Sequence, residues 1–284
     1  MTLLLGVDTG GTYTDAVLIR DEAHVIASAK SLTTREDLAL GIGAVVRDVL
    51  VQAAVSPKDI SLASLSTTLA TNALVEGQGG RVGLIYIGFD VRDLETHGLK
   101  DALNGNPVII LSGGHDHSGT EVASLDTEAL RDWLSQDQGV SAFAVAAQFA
   151  TRNPIHEQRV VKMITQITCR PVSASHHLSS KLNGPKRALT ALLNARLIGL
   201  THKLIGRAEN ILQEIGITAP LMVVRGDGAL ISSAMAKERP IETILSGPAA
   251  SIVGACWMTG LDQALVSDIG GTTTDIALVR NGRP

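Results

Sequence analysis

LGVDTGGTYTDAVLI, residues 5–19, decides the fold, because it returns at the other end of the chain as LVSDIGGTTTDIALV, residues 265–279. Eight of the fifteen aligned positions are identical. Asp8, Gly10, Gly11, Thr12, Thr14 and Asp15 recur as Asp268, Gly270, Gly271, Thr272, Thr274 and Asp275, and Leu5 and Leu18 recur as Leu265 and Leu278. In each copy an apolar run ends at an Asp, two glycines and a Thr form a turn, and a second alternating run begins. That is the pattern of a β-hairpin. Glycines let backbone N–H groups approach an anion closely, and Thr hydroxyls add donors. An ionised Asp only accepts, so beside a phosphate it needs a bridging cation, that cation's water shell, or a reaction step that uses a base. One copy alone would read as an ordinary turn; two copies point to a paired phosphate site.

Outward from the first copy, strand patterns at 3–7, 14–20 and 25–29 are separated by turns too short for a crossover, which predicts an antiparallel meander. A helix follows over 36–55, with Leu38, Ile42, Val45, Val49 and Leu50 on one face and Pro57 past its end. Strands at 60–65, 81–87, 108–111 and 140–146 then alternate with helical stretches near 68–75 and 126–133, as in an α/β protein. Further helices are expected at 154–167 and 185–215, the second with Gly199 and Gly206 as candidate bends. Residues 221–224 read as a strand, 231–237 and 248–258 as helices, and 264–267 as the strand entering the second copy.

The composition narrows the function. The chain has 284 residues, enough for two domains, with 45% hydrophobic, 18% charged and 2% aromatic residues. The 24 Lys and Arg against 28 Asp and Glu include no dense basic run, which disfavours nucleic-acid binding. Cys169 and Cys256 form no ligand cluster and suit a reducing, cytoplasmic setting. No signal peptide and no membrane-length apolar run occurs. In the loop GGHDHSG (113–119), His115 and His117 are expected to be solvated rather than metal-bound. His176 and His177 read as a surface loop pair, and Arg225-Gly226-Asp227 as a turn before a helix.

The paired hairpins resemble the phosphate loops of the actin, sugar kinase and Hsp70-like ATPase superfamily. Between them, STTLATNALVEG (66–77), NPIHEQRV (153–160), LLNARL (192–197), GDGAL (226–230) and TILSGPAASIVGA (243–255) resemble, in this order, the hydantoinase A, 5-oxoprolinase and acetone carboxylase subunit family. Sugar kinases share the hairpins but not these segments. The resemblance implies a ribonuclease H-like, actin/Hsp70-type α/β fold: a mixed sheet with an antiparallel meander and flanking helices, and a second domain that stays incomplete. It implies an N-terminal domain over 1–180 with the first phosphate loop, and the start of a hydantoinase A domain over 181–284 with the long helix and the second.

By the same resemblance Gly10, Gly11, Thr12 and Thr14 form one phosphate loop, and Gly270, Gly271, Thr272 and Thr274 the other. Asp8 and Asp268 hold Mg²⁺ through water or poise a nucleophile. Thr67, Thr68 and Asn72 open a helix whose N-terminus offers amide donors, or they simply cap it. Ser246, Gly247 and Pro248 read mainly as capping. The implied cofactors are ATP and Mg²⁺, and the implied activity is ATP-dependent hydrolysis of a cyclic amide of the hydantoin or 5-oxoproline type. The alternatives are the ATPase subunit of a ketone carboxylase and a truncated, non-catalytic binding or regulatory module. The implied partners are a small cyclic amide, a hydantoinase B-type subunit and a further copy of the chain, with neither nucleic acid nor membrane. The chain departs from the family at Leu65 and Ser66, where many members have His-Gly. Members also run on for several hundred residues, so residues 1–284 are expected to carry half of a nucleotide site and to hydrolyse no ATP alone.

Overall fold

A computed structural model describes residues 2–34, 37–269 and 274–281. The chain divides into two compact units, residues 1–77 with 200–284, and residues 78–199.

The first unit is built on the expected meander. Strands β1 (Leu3–Thr9), β2 (Tyr13–Arg20) and β3 (His24–Leu32) pair antiparallel. Strand β4 (Ile60–Thr67) pairs parallel to β1. With β9 (Leu221–Val224) and β10 (Leu230–Ser232) they form one six-stranded mixed sheet, in the order β10-β9-β4-β1-β2-β3. Alternation sends Leu3, Leu5, Val7, Ala16 and Leu18 to one face, where helix α1 (Leu38–Ala53) covers them with Ile42, Val45, Val46 and Val49. Asp37 caps α1 by accepting from the Ala39 N–H at 3.2 Å, and Ala54 ends it in the left-handed conformation. This is the expected sheet with flanking helices, the ribonuclease H-like, actin/Hsp70-type fold.

Helix α2 (Leu69–Val75) follows β4 directly. After β9 the chain forms α8 (Ser233–Glu238), then α9 (Ser246–Thr259), then a separate two-stranded sheet of β11 (Gln263–Ile269) and β12 (Thr274–Arg280). The helix expected over 231–237 starts two residues later, because Leu230–Ser232 pairs with Met222–Val224 and Ser232 then caps α8.

The second unit carries a parallel sheet in the order β6-β5-β7-β8, from β5 (Val82–Ile87), β6 (Val108–Leu111), β7 (Ala142–Ala147) and β8 (Val172–Ala174). Every residue of β5 and β7 is buried, so these strands lack polar alternation. Helices α4 (Thr127–Ser135) and α5 (Ile155–Thr168) pack on one face. Helix α3 (Leu99–Leu103) and the first half of α7 (Gly184–Ile215) pack on the other. Helix α7 is continuous through Gly199 and Gly206. No helix among the described residues is long and apolar enough to cross a membrane.

Two histidine expectations are overturned at the carboxyl ends of these strands. His115 is buried, 1% exposed, not solvated: its N–H donates to Gln148 C=O at 3.2 Å and its ring lies 4.5 Å from that of His156. The His156 Nδ1 accepts from the Gly114 N–H at 2.9 Å and fixes the loop from below. His117 is exposed. His176 sits in a short helix, α6 (Ser175–Leu178), and its Nδ1 lies 2.5 Å from Glu157 Oε2. Glu157 is fully buried and also accepts from the Ala147 N–H and the Ser175 hydroxyl, while Arg187 donates to Ser175 Oγ and to Ala147 C=O. Thus the His-Glu of NPIHEQRV closes the strand ends. Buried charges need hydrogen bonds, and here both Arg187 and Glu157 have them, with the Ser175 hydroxyl accepting from one and donating to the other.

Candidate functional site

The first copy of the repeat forms the β1–β2 hairpin and the second the β11–β12 hairpin, in the same register. Asp8 pairs with Asp15, and Asp268 with Asp275. In the loop between β1 and β2, the Gly10 N–H donates to Tyr13 C=O at 2.9 Å, and a Cβ on Gly10 would lie 3.1 Å from that oxygen. Thr33 fixes the loop from β3's end: its hydroxyl donates to Gly10 C=O at 2.9 Å and its N–H to Thr12 C=O at 2.9 Å. Apart from the Gly10 N–H the loop is held by its carbonyls, which leaves the Gly11 and Thr12 amides as the donors it can offer an anion.

Both hairpins, α2 and α9 border one cleft of about 460 Å³. Of the residues expected to act together, it brings together Asp8, Gly10, Gly11, Thr12, Thr68, Asn72 and Asp268. Three expectations are corrected by the pleat. Thr14 is fully buried on the α1 face of the sheet, with its hydroxyl 3.1 Å from that of Thr33. Thr67 is buried, and its hydroxyl accepts from the Leu69 N–H at 3.1 Å in the turn that leads into α2. Thr274 neighbours Asp275 in β12 and so projects from the opposite face of that hairpin. Gly270, Gly271 and Thr272 lie outside the described residues.

Residues not singled out beforehand complete the lining: Tyr13, Asp15, Lys30, Ser251 and Asp275, with Gly247 and Pro248 at the start of α9. The α9 N-terminus has no side-chain cap. Ser246, fully buried, instead ties it to the end of β4, accepting from the Thr67 N–H at 3.2 Å and donating to Thr67 C=O at 2.9 Å. Asp15 could have been found, since four residues separate the paired Thr9 and Thr14 and so set Asp15 opposite Asp8, and Asp275 is its counterpart in the second copy. Lys30 carried no such signal.

Asp8 is the electrostatic centre. Its carboxyl is held above the usual carboxylate range, chiefly by burial, with Asp15 and Asp268 adding like charge; a hydrogen bond from Ser66 at 2.5 Å pulls the other way. Leu65, where many family members have His, is buried in the core with Leu5 and Val7. That departure therefore leaves the cleft side of the sheet untouched. Among the described residues no group of three or more His, Cys, Asp or Glu side chains is gathered to hold a metal. The oxygen donors of Asp8 and Asp268 instead suit a hard divalent cation that keeps most of its water and is shared with a phosphate. Four carboxylates, loop amides and the α9 N-terminus thus line one cleft.

Residues 4–168 match the hydantoinase/oxoprolinase N-terminal region and residues 187–284 the hydantoinase/oxoprolinase family. The chain is 30% identical to caprolactamase subunit alpha of Pseudomonas jessenii, over 98% of this chain and 44% of the relative. It is 29% identical to the acetophenone carboxylase gamma subunit of Aromatoleum aromaticum, over 97% of this chain and 42% of that one. The crystal structure of ATP-dependent caprolactamase from P. jessenii superimposes with a TM-score of 0.79 at 29% identity, over 97% of this chain and 43% of that one. The chain thus spans less than half the length of these relatives.

Proposed function

Because the chain belongs to the hydantoinase/oxoprolinase family, we propose that its cleft binds ATP for the ATP-dependent opening of a cyclic amide of the hydantoin or 5-oxoproline type, as an enzyme or as the N-terminal portion of one. The observation that carries this reading is the matched register of the two hairpins, which sets Asp8 with Asp15 and Asp268 with Asp275 on one cleft. On this reading residues 1–180 bring the first phosphate loop and residues 181–284 the long helix and the second.

A cyclic amide resists water because resonance weakens its carbonyl as an electrophile and its nitrogen as a leaving group. Transfer of the γ-phosphoryl group to the amide oxygen removes both obstacles. Water then adds to the activated carbon, the ring C–N bond breaks to leave a free amine and an open-chain acyl phosphate, and a second water releases phosphate and the carboxylate. Such a transfer needs little covalent help from the protein, so the work falls to positioning and charge. Mg²⁺ held through water by Asp8 and Asp268 would neutralise phosphate charge. The amides of Gly11 and Thr12 would hold one side of the polyphosphate, with Gly10 letting the backbone come close, and Thr68, Asn72 and the α9 N-terminus would border it. Asp8, whose carboxyl burial holds above the usual carboxylate range, would place or deprotonate a water.

A second reading is favoured by the carboxylase relative: the same site would phosphorylate an acceptor for a ketone carboxylase. The relatives named as subunits support a partner subunit of the hydantoinase B type. The test is ATP turnover with a panel of cyclic amides, and separately with acetone-type ketones plus bicarbonate. Turnover with the amides alone supports the hydrolase, and turnover with ketone and bicarbonate alone supports the carboxylase. Calorimetric nucleotide binding without turnover supports the non-catalytic module, and no binding in the presence of Mg²⁺ overturns the nucleotide reading.

A further inference from the structure

Ser66, Asp8, Asp15 and Lys30 stand at one level on four neighbouring strands, β4, β1, β2 and β3. The row reads hydroxyl, carboxylate, carboxylate, ammonium across one face of the sheet. Ser66 donates to Asp8, and Lys30 Nζ lies 3.3 Å from Asp15 Oδ1. We propose that Lys30 is the phosphate-contacting cation of the cleft, held on Asp15 until a polyphosphate enters; this rests on the nucleotide reading above.

Charge comes first. Asp8, Asp15, Asp268 and Asp275 line the cleft, and Lys30 is the one Lys, Arg or His among its described lining residues. A polyphosphate entering beside four carboxylates meets repulsion that a single divalent ion only partly cancels, so a protein cation within reach is worth more here than at an open surface.

Geometry comes second. Lys30 and Asp15 are 57% and 46% exposed, so their pair is weak and the ammonium can change partner at little cost. Lys30 Nζ also lies 4.8 Å from the centre of the Tyr13 ring, the residue that closes the loop containing Gly10, Gly11 and Thr12. A flexible stem with three rotatable donors, seated beside the loop amides, can turn from Asp15 to a phosphate oxygen without moving the backbone.

A lysine that only pins β3 to β2 would behave differently, and calorimetric titration with Mg·ATP separates the two. Lys30→Met should weaken Mg·ATP binding about tenfold or more and flatten its salt dependence, and Lys30→Arg should keep most of the affinity. Asp15→Asn should bind Mg·ATP at least as tightly as the parent protein, because it removes a negative charge and frees the lysine. Lys30→Met within twofold of the parent, or Asp15→Asn losing as much as Lys30→Met, overturns the assignment while the nucleotide reading stands. Parent protein that binds no Mg·ATP overturns both. Thermal melts of each variant confirm folding before titration.

Discussion

Ser66 and Asp8 occupy the same level of two parallel strands, and the serine hydroxyl donates to Asp8 Oδ1 across 2.5 Å. Glycine, the residue many family members have here, cannot make that bond. Ser66 therefore orients the carboxylate and offsets part of what burial does to its pKa. Ser66→Ala should push the Asp8 carboxyl further up and move the acid limb of the pH–rate profile to higher pH, with a stability loss of about 1 kcal/mol. An acid limb unchanged from the parent would show that the hydroxyl does not tune Asp8.

In the full-length protein, Asp8→Asn and Asp268→Asn should each lose turnover by about a hundredfold or more. An amide keeps the shape but removes the negative charge that would hold a divalent ion's water shell, and electrostatic positioning of this kind is worth about 3 kcal/mol. Steady-state ATP turnover with a cyclic-amide panel, after circular dichroism has shown the variants folded, is the measurement. Near-parental rates in both would dismiss the two-hairpin site.

Stability gives an independent check on Asp8. The fold holds its carboxyl above the usual range, so the native state binds that proton more tightly than the unfolded chain. The contribution is present at pH below the unfolded carboxylate range and is lost as pH rises through the folded value. Asp8→Asn, which cannot ionise, should therefore melt at a higher temperature than the parent at pH 7, and this advantage should shrink as pH falls to 4. A variant equally destabilised at both pH values would show that Asp8 mainly caps the turn.

In the second unit, Arg187 is 1% exposed and holds the strand ends together through Ser175, Ala147, Lys181 and Leu182. Arg187→Met should cost about 3 kcal/mol, because it leaves Glu157 buried without its nearby cation and three carbonyls without a donor. Arg187→Lys should rescue little of this, since one ammonium cannot reproduce the planar fork. The urea-unfolding midpoint reads both. A cost under about 1 kcal/mol for Arg187→Met would show that the network does not depend on the arginine.

The repeat and its alternation determine much of this protein by themselves. They specify two hairpins, the antiparallel start of the sheet, α1 over its inner face, and the long α7. They also specify that Asp8 and Asp268 end the strands at which two Gly-rich loops begin. Side-chain direction was legible wherever a short loop sets the count: with four residues, 10–13, between the paired Thr9 and Thr14, alternation opposes Asp15 to Asp8 and sends Thr14 to the other face. The settings of the buried His115 and the half-buried His176 were not legible, because they come from packing against Gln148, His156 and Glu157 from distant parts of the chain.

Only the tertiary structure decided where Lys30 points. Near the β2–β3 turn Arg20 pairs with His24 and Ile19 with Val25, and that register, continued, would set Lys30 opposite Thr14 on the face covered by α1. An irregularity between Leu18 and Ile19 makes Leu18 pair with Ala27, so that Ile26 is the extra residue and Lys30 falls opposite Asp15. One inserted residue exchanges the two faces of a strand, because side chains alternate with a period of two. The local pattern fixes that period. Its phase relative to the neighbouring strand is set by the pairing of the whole sheet.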